Sequence, residues 1–86
     1  MITIYGKTQC PFCVSAKQLC EARGYEYEYK QLGEDFTRED VMEIFPGART
    51  FPQIIVGDNK VGGFDKMKQY IEDTAYNGTG YSTGNG

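Results

Sequence analysis

Cys10, Pro11, Phe12 and Cys13 form a C-x-x-C segment between a short apolar stretch and an amphipathic one. Two cysteines with two residues between them can close a small disulfide ring and open it again. A thiol at a helix N-terminus faces unpaired N–H groups and the positive end of the helix dipole, which favour thiolate over thiol. The thiolate is the attacking species in thiol–disulfide exchange. A C-x-x-C pair can also be half of a zinc site, or a coincidence. The chain has no histidine and three cysteines, so it cannot build a Cys–His or Ser–His nucleophile pair. A Cys/His or four-thiolate zinc site within one chain is excluded for the same reason. A metal shared between two chains stays open as the minority reading, and no metal is expected. Cys20, seven residues after Cys13, lies on the same helical face. It reads as a buried core thiol, since free cysteine behaves as a small hydrophobe, with a regulatory thiol as the alternative.

Composition bounds what surrounds this pair. The 86 residues, 40% hydrophobic and 24% charged, allow one soluble domain with a small core. A net charge of −3 argues against a nucleic-acid partner, because binding phosphate backbones needs an excess of Lys and Arg on one face. No apolar run approaches the length that spans a bilayer, so no membrane association is expected. The first residues alternate like a strand and lack a basic region followed by a long apolar one, so no signal peptide is expected. With an odd number of cysteines, a cytoplasmic location is expected over a disulfide-stapled secreted domain.

Periodicity places the elements. Ile2 and Ile4 opposite Thr3 and Tyr5 predict a strand over residues 1–5, followed by a loop over residues 6–9. A helix is expected to begin near Pro11 and to end before Gly24, with Phe12, Cys13, Ala16, Leu19 and Cys20 as its buried stripe. Strict alternation over residues 25–30 predicts a second strand, with Tyr25, Tyr27 and Tyr29 as one face. Thr37 and Asp40 approximate a capping box for a short helix stopped by Pro46-Gly47. Gln53 to Val56 and residues 60–62 read as a hairpin about a turn over residues 57–60. A last helix carries Phe64, Met67, Tyr70, Ile71 and Ala75 on one side. Residues 77–86 read as a polar, disordered tail after a domain over residues 1–76. A βαβ unit, a short helix and a ββα unit make an α/β architecture. Its four-stranded mixed sheet, flanked by three helices, is a thioredoxin fold.

With strand, C-x-x-C and helix in this order, the chain resembles the thioredoxin superfamily, and three segments narrow the resemblance to dithiol glutaredoxins. Lys7-Thr8-Gln9-Cys10-Pro11-Phe12-Cys13 is similar to that family's lysine-led C-P-[YF]-C segment. Arg49-Thr50-Phe51-Pro52-Gln53-Ile54 is similar to its T-[VF]-P-Q-[IVF] segment, and Gly62-Gly63-Phe64-Asp65 to the G-G-x-[DST] opening of the last helix. Lys66, where many members carry a second acidic or Ser/Thr-Asp step, departs from the pattern and removes a contact to a glutathione amine.

The resemblance implies a glutathione-dependent thiol–disulfide oxidoreductase that reduces protein disulfides and glutathione mixed disulfides, with glutathione as co-substrate. Cys10 is then the nucleophile and Cys13 the resolving thiol. Glutathione is expected to meet Lys7, Phe12, Arg38, Thr50, Phe51, Pro52, Gly63, Phe64 and Asp65. Pro52 is expected to be cis, the Phe64 and Asp65 N–H groups to hold the γ-glutamyl carboxylate, and Lys7 with Arg38 the glycine carboxylate. Read without the resemblance, Arg38 is a solvated first-turn residue, Lys7 a surface lysine and Gly62-Gly63 a strand-to-helix turn. A monomer is expected, with disulfide proteins such as ribonucleotide reductase as partners. The alternatives are a thioredoxin-like carrier reduced by a flavoprotein reductase, and an iron–sulfur module with Cys10 and glutathione as ligands.

Overall fold

The structure, a computed structural model, describes residues 1–74. The expected tail over residues 77–86, and Ala75 on the last helix, lie outside the described residues. The chain runs β1 (Ile2–Gly6), α1 (Pro11–Arg23), β2 (Tyr27–Gln31), α2 (Arg38–Ile44), β3 (Gln53–Val56), β4 (Asn59–Gly62) and α3 (Phe64–Thr74). The strands form one mixed sheet in the order β2-β1-β3-β4. β1 pairs parallel with β2, Ile4 opposite Tyr29, and antiparallel with β3, Ile4 opposite Ile54. β3 and β4 form the hairpin. This is the expected thioredoxin-fold arrangement.

The pattern of β1 explains why it is central. Ile2 and Ile4 are fully buried on one face with Ile54, Val56, Ala16, Cys20, Met67 and Ile71, under α1 and α3. Tyr5 points the other way, into a second cluster with Phe36, Val41 and Phe45 that α2 covers. A strand buried on both faces sits in the interior of a sheet.

Local chemistry sets the helix ends. Cys10 is the N-cap residue of α1, with an extended backbone and Pro11 at the first helical position, where a missing N–H costs nothing. Gly24, at φ 71°, ends the helix by donating its N–H to the carbonyls of Cys20 and Glu21. Thr37 and Asp40 make a full capping box on α2, the Asp40 carboxylate accepting from the Thr37 N–H at 2.9 Å.

Two expectations need correction. β2 begins at Tyr27 and not at Tyr25, because the Tyr25 N–H is used to close α1, donating to Cys20 O at 2.9 Å. Tyr25 is therefore buried beneath the helix end, outside the strand. Phe12 does not join the buried stripe of α1: it is 60% exposed and turns toward the start of α3, where it stacks on Phe64. The buried stripe is Cys13, Ala16 and Cys20.

Candidate active site

Cys10 and Cys13 form a disulfide, their Cα atoms 5.2 Å apart. The two sulfurs are unequal. Cys10 retains 6% of its surface and Cys13 none, so an incoming disulfide can reach only Cys10. The Cys13 N–H donates to Cys10 Sγ at 3.2 Å, and the Val14 N–H donates to the Cys10 carbonyl at 3.1 Å. One N–H of the helix start, that of Cys13, thus points at the Cys10 sulfur, which carries negative charge as a thiolate once the pair is reduced. The carbonyl of Phe51 lies 3.7 Å from Cys10 Sγ. A disulfide sulfur has no hydrogen to donate, so this is packing in the oxidised state; in the reduced state it offers the thiol an acceptor.

Two other chain segments meet the helix start here. The Phe51–Pro52 peptide is cis, and Pro52 is buried at the head of β3. Gln53 is the one buried polar side chain among the described residues; its amide donates to Thr50 O at 2.8 Å, fastening the turn that presents Phe51. At the end of β4, Gly62 takes φ 107°, a conformation that side chains with a Cβ rarely adopt, and so turns the strand straight into α3. The first bond of α3 runs from Met67 N–H to Gly63 O at 2.9 Å, which leaves the N–H groups before it without helical acceptors.

Between these segments lies a cleft of about 420 Å³ lined by Phe12, Thr50, Phe51, Pro52, Gly63, Phe64, Asp65 and Lys66. Phe12 and Phe64 stack with centroids 6.3 Å apart and an interplanar angle of 29°, forming an apolar ledge beside Cys10. The Lys68 ammonium sits 5.6 Å from the Phe64 ring centroid.

Of the residues expected at the site, Phe12, Thr50, Phe51, Pro52, Gly63, Phe64 and Asp65 line this cleft. Lys7 and Arg38 do not. Lys7 is exposed in the loop before Cys10, and Arg38 lines a smaller neighbouring pocket with Arg49, Thr50 and Phe51. Lys66 and Gln53 are site residues that sequence reasoning did not assign. The signal for Gln53 was available: an amide in an otherwise apolar strand needs a specific partner when buried.

Cys20 is set apart from this chemistry. Burial, then the charge of Glu21, push its thiol up to about 11. The Tyr27 hydroxyl donates to Glu21 Oε2 at 2.6 Å, and that bond is the largest cause pushing Tyr27 up to about 12. Among the described residues no group of His, Cys, Asp and Glu side chains is arranged to hold a metal ion, and no helix is long and apolar enough to cross a membrane.

A family model described as glutaredoxin matches residues 2–61. The hybrid peroxiredoxin hyPrx5 of Haemophilus influenzae is 39% identical over 70 residues, covering 81% of this chain and 29% of that protein. The chain thus spans less than a third of that relative. Glutaredoxin 1 of Escherichia coli is 30% identical over 77 residues, covering 81% of this chain and 91% of that protein. A buckwheat glutaredoxin–glutathione complex superposes with a TM-score of 0.71 at 24% identity, over 84% of this chain and 68% of the other.

Proposed function

Because the chain belongs to the glutaredoxin family, we propose that it is a glutathione-dependent thiol–disulfide oxidoreductase acting through Cys10 and Cys13. The observation that carries this reading is the unequal sulfur pair. Reachable Cys10 accepts the Cys13 N–H and lies 3.7 Å from the carbonyl of Phe51, a residue of the ligand-sized cleft, while Cys13 has no exposed surface.

In the reduced protein the Cys10 thiolate attacks one sulfur of a substrate disulfide. That S–S bond breaks, the leaving thiolate takes a proton, and a mixed disulfide joins Cys10 to the substrate. Cys13, deprotonated, then attacks Cys10 Sγ and expels the second substrate thiol. The two electrons of the dithiol now reside on the substrate, and the Cys10–Cys13 disulfide has formed. Two glutathione thiols return it to the dithiol, one by attacking Cys10 and one by attacking the resulting mixed disulfide, leaving glutathione disulfide. A glutathionylated protein needs only Cys10: attack on the glutathione sulfur releases the protein thiol, and a second glutathione clears Cys10.

The cleft supplies groups suited to glutathione. The N–H groups opening α3 suit its γ-glutamyl carboxylate. The Phe51 backbone suits its peptide portion, and the Phe12–Phe64 ledge the methylene beside its sulfur. The buckwheat glutaredoxin of the same fold forms a complex with glutathione, which supports glutathione as the ligand proposed here. Lys7 and Arg38, outside the cleft lining, are proposed to meet the glycine carboxylate. Ribonucleotide reductase is proposed as one acceptor among disulfide proteins.

The test is the electron source. NADPH consumption is followed with a small mixed disulfide as acceptor, using either glutathione with glutathione reductase or thioredoxin reductase alone. Turnover with glutathione only is expected. Turnover with thioredoxin reductase only removes glutathione from the mechanism and keeps the Cys10/Cys13 exchange.

A further inference from the structure

One side chain outside the cleft touches every element that places Cys10. Tyr29 lies on the edge strand β2, opposite Ile4 of β1. Its ring extends toward the end of β1 and covers Gly6, where an added Cβ would stand 2.7 Å from the ring carbon Cζ. Gly6 does not adopt a left-handed backbone, so it is small because the ring occupies its side-chain space. The Tyr29 hydroxyl donates to the carbonyl of Lys7 at 3.5 Å, a long bond. From the helix side, the Lys17 ammonium, one turn beyond Cys13, lies 5.7 Å from the ring centroid. One aromatic ring therefore contacts the end of β1, the loop after it, and α1.

That loop needs support. It is only residues 7–9 long, and Gln9, immediately before Cys10, sits at φ 55°. A residue other than glycine in the left-handed region costs about 1 kcal/mol and persists where its surroundings hold it. If the loop relaxes, Cys10 loses its place over the helix start. The 3.2 Å bond from the Cys13 N–H is the first contact to weaken, because the Cys10 sulfur is set by the backbone of the loop.

We propose that Tyr29 is a positioning residue for Cys10: its ring braces Gly6 and the loop over residues 7–9 against α1 and so keeps the Cys10 sulfur on the Cys13 N–H. The inference rests on the reading of Cys10 as the attacking sulfur. Reach and bulk carry the effect more than the hydrogen bond, because Cζ and the hydroxyl oxygen beyond it pack on Gly6 while the hydroxyl's bond to the Lys7 carbonyl is long. Burial pushes the Tyr29 hydroxyl above its ordinary range, which fits a ring tucked into this corner. Lys17 is the charged side chain placed against the ring, while Lys7 meets it through its backbone carbonyl.

The experiment follows the rate of Cys10 alkylation against pH in a Cys13→Ser background, where the buried Cys20 does not compete. Tyr29→Phe, Tyr29→Leu and Gly6→Ala are compared with the parent, and thermal midpoints are recorded alongside. Tyr29→Leu keeps apolar bulk but cannot reach the loop, and Gly6→Ala displaces the ring from the opposite side. Both are expected to raise the alkylation midpoint by about half a unit or more, since a thiolate that loses a donor is less favoured. Tyr29→Phe is expected to stay close to the parent, because it keeps the ring. A low parent midpoint that neither Tyr29→Leu nor Gly6→Ala moves, whatever happens to stability, overturns this inference alone. A parent midpoint at the free-cysteine value of about 8.5 overturns the attacking role of Cys10, and this inference with it.

Discussion

Cys20 gives the sharpest quantitative expectation, because its two states differ in one proton. The side chain has no exposed surface and packs among Ile2, Ile4, Ala16, Met67 and Ile71. Burial, then the charge of Glu21, raise its thiol from 9.0 to about 11. An acid whose folded value lies above its unfolded value keeps its proton longer in the folded state. Below pH 9 both states hold the proton and Cys20 contributes nothing pH-dependent. As pH rises from 9 toward 11 the unfolded chain releases the proton while the folded chain cannot, so stability falls through that window. At about 1.4 kcal/mol per unit of difference, the loss reaches about 2 kcal/mol at pH 10.5 and levels off near 2.7 kcal/mol above pH 11.

The assay is urea unfolding at pH 8 and pH 10.5 in a Cys10→Ala/Cys13→Ala background, where Cys20 is the remaining thiol of three and disulfide exchange cannot occur. The same background with Cys20→Ala is the reference. Tyr27 and Tyr29 are also shifted upward and weaken both chains in alkali, so their effect cancels in the comparison. The cavity left by Cys20→Ala likewise cancels, being present at both pH values. The chain that keeps Cys20 is expected to lose about 2 kcal/mol more than the reference. Equal losses would refute the argument, and with it the reading of Cys20 as a sealed thiol.

Two predictions concern the active site itself. Cys13→Ser removes the thiol that resolves a mixed disulfide with a protein but not the one that attacks it. It is expected to abolish insulin-type protein-disulfide reduction while keeping most of the release of glutathione from a glutathionylated peptide; loss of both activities contradicts the division of roles. Phe12→Ala removes a side chain that is 60% exposed, so the unfolding midpoint should change by no more than about 0.5 kcal/mol in free energy. It also removes half of the apolar ledge proposed to cover the methylene beside the glutathione sulfur, a contact of about 0.8 kcal/mol per buried CH2, so KM for a glutathionylated peptide should rise roughly 4-fold. An unchanged KM removes the ledge from the binding site.

Much of this architecture follows from local pattern. The alternation in β1, Pro11 and Gly24 at the ends of α1, and the Thr37–Asp40 box each state their element in a few neighbouring residues. What local pattern misses is set at a distance. Tyr25 alternates as if it were in β2, yet its N–H is consumed by a helix end. Phe12 has the right spacing for a core stripe, yet it turns toward Phe64 at the start of α3, which helix spacing alone does not show. Lys66 gains its place in the cleft only when three segments far apart in sequence are brought together, whereas the Gln53 bond to Thr50 is local. The dependence of Gly6 on Tyr29 crosses two strands, and the glycine by itself reads as a turn residue.

The sheet register decides whether a site exists at all. Tyr5 stands opposite Gln53, and Ile54 opposite Gly62. Those two pairings put the exit of β1, the entrance of β3 and the exit of β4 at one end of the sheet. From that end depart the loop to Cys10, the Phe51–Pro52 turn and the Gly63–Phe64 start of α3. No single segment encloses a cleft; each supplies one wall. A slip of one residue between β1 and β3 would send Ile54 and Val56 to the face that α2 covers, and the cost of emptying two fully buried positions in the α1/α3 core forbids it. The core therefore specifies the active site indirectly. The isoleucines fix the register, and the register aligns a reactive sulfur, a backbone carbonyl and a helix N-terminus within one cleft.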